Sequence, residues 1–190
     1  MKRRILATIT LLAPFYLANP VVASSFAPQN QLNIRSLSAQ PTLIAQSSWK
    51  EFYSSTGSFA VNMPGTPNEE TEKDKDGLVT RSFTLKSDSD FYRISYFEVP
   101  EIGELSSGEI KEFLDVVASK FVQAADVKLL GSRNITIAGY PGKEFDFAFN
   151  KTITGKGRVY LTNNKLYLLV MVTSEQADLK KFFNSFRLIT

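Results

Sequence analysis

Alternating apolar and polar residues dominate the chain after residue 48, and a period of two predicts β-strands. Four such runs precede residue 100, at positions 49–53, 59–63, 79–85 and 91–99. The last two runs predict an antiparallel hairpin. The charged segment 69–76, which ends at Asp76-Gly77, predicts a turn that leads into this hairpin.

A change of period in the middle of the chain predicts a helix. Apolar residues recur at spacings of three and four between Ile110 and Phe121, which places them on one face. Ser106 and Glu109 fit a capping box at the start of this pattern. We therefore predict an amphipathic helix over residues 107–124.

Two further hairpins are predicted after this helix. Their strands fall at residues 134–138, 145–149, 158–162 and 165–173. Phe145, Phe147 and Phe149 place three rings on one face of the second of these strands. Asn163-Asn164 joins the last two strands, because asparagine tolerates the positive φ of a tight turn.

The run 166–172 is apolar throughout, so both faces of its strand are expected to be covered. A terminal helix is predicted to begin at Thr173, with Gln176 three residues later and apolar residues on one side. One helix on each face of the sheet would cover the apolar strand. The predicted fold class is therefore α+β, an antiparallel sheet with helices on both faces in a three-layer sandwich.

The first 23 residues predict a signal peptide. Lys2, Arg3 and Arg4 precede an apolar stretch, and small side chains follow at Val21-Val22-Ala23. Retention of this stretch as an anchor is the alternative. Residues 24–47, rich in Ser, Gln, Asn, Pro and Ala, predict a disordered linker. Residues 48–190 then form a single domain that is exported to the periplasm or a thylakoid lumen.

Charge and composition exclude several kinds of site. The 190 residues include 22 basic and 19 acidic residues, and loss of three basic residues with the signal peptide leaves 19 of each. The mature chain is close to neutral, which argues against nucleic acid as a partner. The chain has no Cys and no His, so it cannot form a disulfide, a Ser-His-Asp triad or a His-ligated zinc site. We expect no cofactor and no metal.

Several segments resemble a family of exported bacterial domains, frequent in cyanobacteria, that has no established activity. The segments are Trp-Lys-Glu-Phe-Tyr at 49–53 with Phe-Ala-Val-Asn-Met-Pro-Gly-Thr-Pro at 59–67, and shorter landmarks at 139–144, 158–161 and 183–186. In architecture the chain is also loosely similar to PsbP-like domains, known from an extrinsic lumenal protein of photosystem II. That resemblance implies an accessory role at a membrane-protein complex. Metal-binding residues in that family include histidines, so no site carries over.

Three short motifs are candidate sites. Asp74 to Gly77 echoes a calcium loop but lacks the downstream Glu, so a solvated turn is predicted. The sequence Gly155-Lys156-Gly157-Arg158 predicts a flexible basic turn and not a phosphate loop, since a strand follows it. Glu144 and Asp146 share one face of a strand and could act as paired carboxylates, but they fit the polar face of a half-buried strand better.

Charge is segregated along the chain. Residues 98–115 hold six acidic residues and one basic residue, whereas residues 143–165 hold five basic and two acidic residues. A neutral protein with such segregation can orient on a partner, although two ordinary solvated surfaces would look the same. Loops often carry function, so we predict the partner contact at Lys151, Lys156 and Arg158.

Three functions agree with these patterns. The first is a non-catalytic exported accessory or interaction protein, associated with a membrane complex. The second is a small-molecule or lipid-binding domain, and the third is an enzyme that uses carboxylates, Lys or Tyr. Five tyrosines could line a ligand groove or form cross-strand packing pairs, and the sequence leaves both open: Tyr92, Tyr96, Tyr140, Tyr160 and Tyr167.

Overall fold

The computed structural model describes residues 49–87, 89–99, 105–151 and 153–189. The predicted signal peptide (1–23) and linker (24–47) lie outside the described residues. The helices are α1 (Ser107–Ala124) and α2 (Gln176–Ser185). The strands are β1 (Lys50–Ser54), β2 (Phe59–Met63), β3 (Asn68–Lys73), β4 (Val79–Lys86), β5 (Phe91–Glu98), β6 (Lys128–Ile137), β7 (Tyr140–Ala148), β8 (Thr154–Leu161), β9 (Lys165–Val172) and β10 (Arg187–Leu188).

The strands form two antiparallel sheets. The larger sheet has seven strands in the order β3-β4-β5-β9-β8-β7-β6, and the smaller has three in the order β1-β2-β10. Neighbours in the large sheet are mostly joined by short turns, and β5 and β9 form its one non-sequential pairing. The small sheet closes through a pairing between the end of the chain and β2, where Arg187 lies opposite Ala60.

The predicted α+β three-layer sandwich, with a helix on each face of one sheet, is wrong. Strands account for 51% of the described residues and helices for 21%, so the fold is β-rich with two helices. The physical reason is a second sheet, which joins strands from near the two ends of the described chain. The small sheet covers much of the face opposite α1, and the short α2 packs against its middle strand β2.

The first face of the large sheet packs against α1, as the amphipathic pattern predicts. The observed bounds of α1 and its capping box, in which Ser106 accepts from the N–H of Glu109, confirm the sequence prediction. Its buried residues are Phe113, Leu114, Val117, Ala118 and Phe121. They contact Phe145 and Phe147 on β7, which confirms that these rings share the inward face.

The second face of the large sheet packs against the small sheet and α2. This core is rich in rings, and Phe59 on β2 contacts five of them: Phe52, Phe83, Tyr96, Tyr167 and Phe186. Such tilted and edge-on ring contacts stabilise a core beyond the area they bury. Because both faces are covered, the central strand β9 is buried from Leu166 to Met171, which confirms the prediction from its uninterrupted apolar run.

Two local predictions are wrong. Residues 68–73 form β3 instead of a turn, because an edge strand exposed on both faces needs no apolar alternation. The terminal helix begins at Gln176 and not near Thr173, whose hydroxyl instead accepts from the N–H of Glu175 outside the helix.

The described residues contain no helix that combines the length and apolarity needed to cross a membrane.

Candidate functional site

The hairpins of β6, β7 and β8 bring opposite charges into register. Arg133 on β6 lies opposite Glu144 on β7, and Arg158 on β8 lies opposite Glu144 from the other side. In the next row, Lys156 lies opposite Asp146. These five residues form one ionic network across three strands, which we call the Glu144 network.

Glu144 is the centre of this network. Its Oε1 accepts from Nε of Arg133 at 2.9 Å and from Nζ of Lys156 at 3.1 Å, and its Oε2 accepts from Nε of Arg158 at 2.6 Å. The Glu144 side chain is only 5% exposed, so a carboxylate is removed from water and compensated by three cations.

Burial and hydrogen bonding act on the pKa of Glu144 in opposite directions. Burial raises it, whereas the hydrogen bonds from Arg158, Arg133 and Lys156 lower it by more, to about 2. Glu144 therefore stays ionised at neutral pH. A carboxylate with this pKa is poorly matched to a general acid or base, which works best when its pKa is near the operating pH.

Arg158 connects the network to α2. Its Nη1 donates to the carbonyl oxygen of Phe183 at 3.0 Å, and its guanidinium lies over the Phe183 ring at 4.9 Å from the centroid. Phe183 belongs to the last turn of α2, where a cation is favoured by unpaired carbonyls and the helix dipole. Arg158 thus holds α2 on the sheet.

Lys156 bridges the two acidic residues of β7. Its Nζ lies 3.1 Å from Oε1 of Glu144 and 2.7 Å from Oδ1 of Asp146. Glu144 and Asp146 do share a face, as the sequence predicts, but they differ in burial because Asp146 lies half exposed at the edge of the network. The pair is joined by a cation, and both carboxylates lie on one strand instead of on two separate elements.

The predicted flexible turn at residues 155–158 is wrong, because these residues lie within β8. A Cβ atom on Gly157 would meet Cζ of Phe145 at 2.2 Å, and one on Gly155 would meet Cζ of Phe147 at 2.5 Å. The two rings come from the residues directly opposite on β7. Glycine is present here because a ring lies over the backbone and not because the chain turns.

The predicted contact residues therefore separate into two environments. Lys156 and Arg158 lie mostly buried inside the Glu144 network, whereas Lys151 is exposed in the turn between β7 and β8. Sequence reasoning missed Arg133. Gly139 is the available sequence signal, because Ala138 and Gly139 form the positive-φ turn between β6 and β7, and counting back from that turn places Arg133 opposite Glu144.

The acidic and basic segments of the chain also meet each other. Nζ of Lys143 on β7 contacts Oδ1 of Asp115 on α1. The Lys143 side chain is 8% exposed and that of Asp115 is 46% exposed. Some charges of the acidic and basic segments thus pair with each other inside the domain, and this ion pair links α1 to the large sheet.

Four of the five candidate tyrosines are buried in the core, and Tyr140 is half-buried. Tyr96, Tyr167 and Tyr160 lie side by side on β5, β9 and β8 and are buried. The hydroxyl of Tyr167 donates to the carbonyl oxygen of Gly57 at 2.8 Å, and burial raises its pKa to about 12. Tyr96 donates to Thr56 at 2.9 Å, so both hydroxyls fasten the turn between β1 and β2 to the large sheet.

The calcium-like motif forms the solvated turn that the sequence predicts. Oδ1 of Asp74 accepts from the N–H groups of Asp76 at 2.9 Å and Leu78 at 2.7 Å. Among the described residues, no group of three or more acidic, His or Cys side chains is placed to hold a metal ion.

Comparisons with known proteins show a loose likeness of architecture. No protein-family model matches the chain, and no curated protein is similar to it. The fold is similar to the solution structure of cyanobacterial PsbP (CyanoP) from Synechocystis sp. PCC 6803, at 14% identity and a TM-score of 0.48. The similarity covers 79% of this chain and 98% of that one. At this identity and score it carries no argument about function.

Proposed function

We propose that this chain is a non-catalytic, exported accessory protein that binds an acidic surface of a partner through basic residues around β6, β7 and β8. The contact would include Lys151 and Arg133, with Lys156 and Arg158 behind them. Its place of action would be the periplasm or a thylakoid lumen, next to a membrane-protein complex.

One observation carries this proposal, which is the excess of cations around Glu144. Arg133, Lys156 and Arg158 all bond to a single buried carboxylate, and Asp146 adds one half-exposed negative charge. The Arg133 side chain is 67% exposed, so its guanidinium has donors directed to water as well as to Glu144. An acidic group of a partner would meet a positive surface that is already held in place.

The basic residues would have two different roles, support of the surface and contact with the partner. Arg158 is mostly buried and bonded to Glu144 and α2, so it would support the surface from below. Lys151 and Arg133 reach solvent and would contact the partner. Loss of Arg133 would still leave Glu144 bonded to two cations, so the contact could be altered without unfolding the strand pair.

The same geometry supports a catalytic function less well than an interaction function. Glu144 is ionised and bonded to three cations, and the pKa values of Tyr92, Tyr160 and Tyr167 are raised by burial. A buried phenol that stays protonated is a weak nucleophile or base at neutral pH. These features favour an interaction protein over the carboxylate- or Tyr-based enzyme.

The test is a pull-down of tagged protein from its native membranes at increasing salt. Lys151→Glu combined with Arg133→Gln should lower recovery of the specific partner and weaken the dependence of recovery on salt. Lys75→Glu, in the exposed turn between β3 and β4, is the matched control because it reverses a charge far from β6. Equal recovery by all three proteins, with one common salt midpoint, would refute the proposal.

A further inference from the structure

Strand β6 forms one edge of the seven-stranded sheet and is open along most of its length. Eight of its ten residues are exposed, and its neighbour β7 lies on one side only. An edge strand has N–H and C=O groups that point away from the sheet and can pair with another chain.

The other edge of the same sheet, strand β3, is protected against pairing with another chain, whereas β6 is not. Strand β3 carries charged side chains at four of six positions, Glu69, Glu70, Glu72 and Lys73, which is a common defence against strand pairing. Strand β6 carries only two charges in ten positions, Lys128 and Arg133, and both are basic. Residues 127–143 contain no acidic residue at all.

Apolar side chains are exposed at the start of β6. Leu129 is 41% exposed and Leu130 is 55% exposed. Ile153 is also exposed and lies at the same end of the sheet. The next residue, Thr154, pairs with Ala148 on β7, and Ala148 pairs on its other side with Lys128 at the start of β6. This end of the sheet thus combines apolar and basic groups, whereas an edge left to water would be expected to carry charge instead.

We propose that β6 is a docking edge on which an extended acidic segment of a partner protein adds as an eighth strand of the sheet. The inference deepens the proposed function and rests on it, because it names the kind of partner that the basic surface would hold. Main-chain hydrogen bonds to β6 would supply the affinity, and carboxylates beside Lys128 and Arg133 would supply the selection for an acidic chain.

The regular part of the edge sets the length of the added strand. The pairing of β6 with β7 shifts between Leu129 and Gly131, which leaves Leu130 as a bulge. From Gly131 to Ile137 the register is uninterrupted. The partner strand would pair along this stretch, while Leu129 and Leu130 would pack against its apolar side chains.

Amide hydrogen exchange of the exported protein tests this inference, with a synthetic peptide in which Glu alternates with Val as the probe. The peptide should slow exchange of about half of the β6 amides, since alternate N–H groups of an edge strand point outward. Exchange in β3 should not change. A peptide with Lys in place of Glu should have no effect.

A third peptide separates strand pairing from charge attraction. It keeps every Glu but carries Pro at two Val positions, so it cannot complete a hydrogen-bonded ladder. Equal binding of the Pro peptide and the alternating peptide would overturn the inference. So would protection of β6 that depends on protein concentration without any peptide, because a second copy of this chain would then occupy the edge.

Variants of β6 complete the test. Lys128→Glu and Gly131→Glu should each weaken peptide binding by about two- to five-fold, because both positions lie on the same face as Arg133 and the new carboxylate would face the Glu side chains of the peptide. Thr71→Glu on β3 adds the same charge as Gly131→Glu at the other edge and should leave binding unchanged. If Lys151→Glu abolishes binding while the β6 variants do not, the docking edge is refuted and the proposed function survives. If no peptide binds and the pull-down also fails, both are refuted.

Discussion

Arg158 lies directly opposite Glu144 on the neighbouring strand, and its Nε donates a 2.6 Å hydrogen bond to Oε2 of that carboxylate. The same guanidinium donates to the carbonyl oxygen of Phe183 in α2. One side chain therefore connects two strands of the large sheet with the helix on its second face. This position gives the ion pair a structural role whether or not a partner binds beside it.

Removing Glu144 should destabilise the fold strongly. Glu144→Ala leaves the mostly buried cations of Lys156 and Arg158 without their shared carboxylate, and such a loss typically costs about 3 to 5 kcal/mol. Urea unfolding followed by circular dichroism would measure the change. Asp146→Ala, at the half-exposed end of the network, is the control and should cost less than about 1 kcal/mol. Similar losses for both variants would contradict the central position of Glu144.

The pKa of Glu144 predicts a specific loss of stability in acid. The pKa is about 2 in the folded protein, below the ordinary value of 4.5, so the folded state favours the ionised carboxylate. Its contribution is complete above about pH 4.5 and is lost as pH falls toward about 2. The difference amounts to about 3 kcal/mol. Urea titrations at steps of pH should show this loss, and Glu144→Gln should flatten the curve in that window. An unchanged slope in Glu144→Gln would assign the acid sensitivity to other carboxylates.

Glycine at position 157 should be essential for packing. In Gly157→Ala the new methyl group would meet Cζ of Phe145 at 2.2 Å, so a buried ring must move within a filled core. Overpacking of this kind typically costs about 1 to 3 kcal/mol, seen as a lower melting temperature. Gly131→Ala is the control, because nothing lies within 4 Å of its Cβ position. A second substitution, Phe145→Leu, should recover part of the loss in Gly157→Ala.

Features with local signals could be predicted from the sequence. The capping box at Ser106 and Glu109 correctly placed the start of α1, and Asn163-Asn164 correctly marked the turn between β8 and β9. Both signals arise from residues within a few positions of each other. The apolar run of β9 was equally informative, because a strand covered on both faces has no polar face to alternate with.

Features that depend on distant partners could not be predicted. The small sheet requires Arg187 to pair with Ala60, which lies more than a hundred positions earlier in the chain. No local sequence pattern predicts that pairing. Glu144 illustrates the same limit within the site. Its alternation with Phe145 indicates a polar face, but its burial depends on cations from β6 and β8. The sequence pattern predicts a turn at Gly157, since glycine is as typical of turns as of close ring contacts.

The central strand should not tolerate a charge. Leu168→Asp would bury an unpaired carboxylate in the core between β9 and α1, at a cost of several kcal/mol. We expect little soluble protein on expression. Leu130→Asp, at an exposed position of β6, is the control and should express as the parent chain does. A Leu168→Asp protein with the parent melting temperature would show that this face of β9 reaches water.

The contact between Lys143 and Asp115 should respond asymmetrically to loss of either partner. Lys143 is 8% exposed and lies on the face of β7 that packs against α1, whereas Asp115 is 46% exposed. Asp115→Ala therefore leaves a buried ammonium group without its carboxylate, which should cost about 3 kcal/mol.

Lys143→Met should be close to neutral, because it replaces a buried charge with an apolar side chain of similar length and returns Asp115 to water. The double variant should then be much more stable than Asp115→Ala alone, and urea unfolding of all four proteins gives the coupling free energy. Equal losses from the two single variants would contradict this assignment, since they would mean that the ion pair itself, and not the burial of Lys143, determines how firmly α1 is held. A neutral Asp115→Ala would instead show that the ammonium group reaches water around the edge of α1.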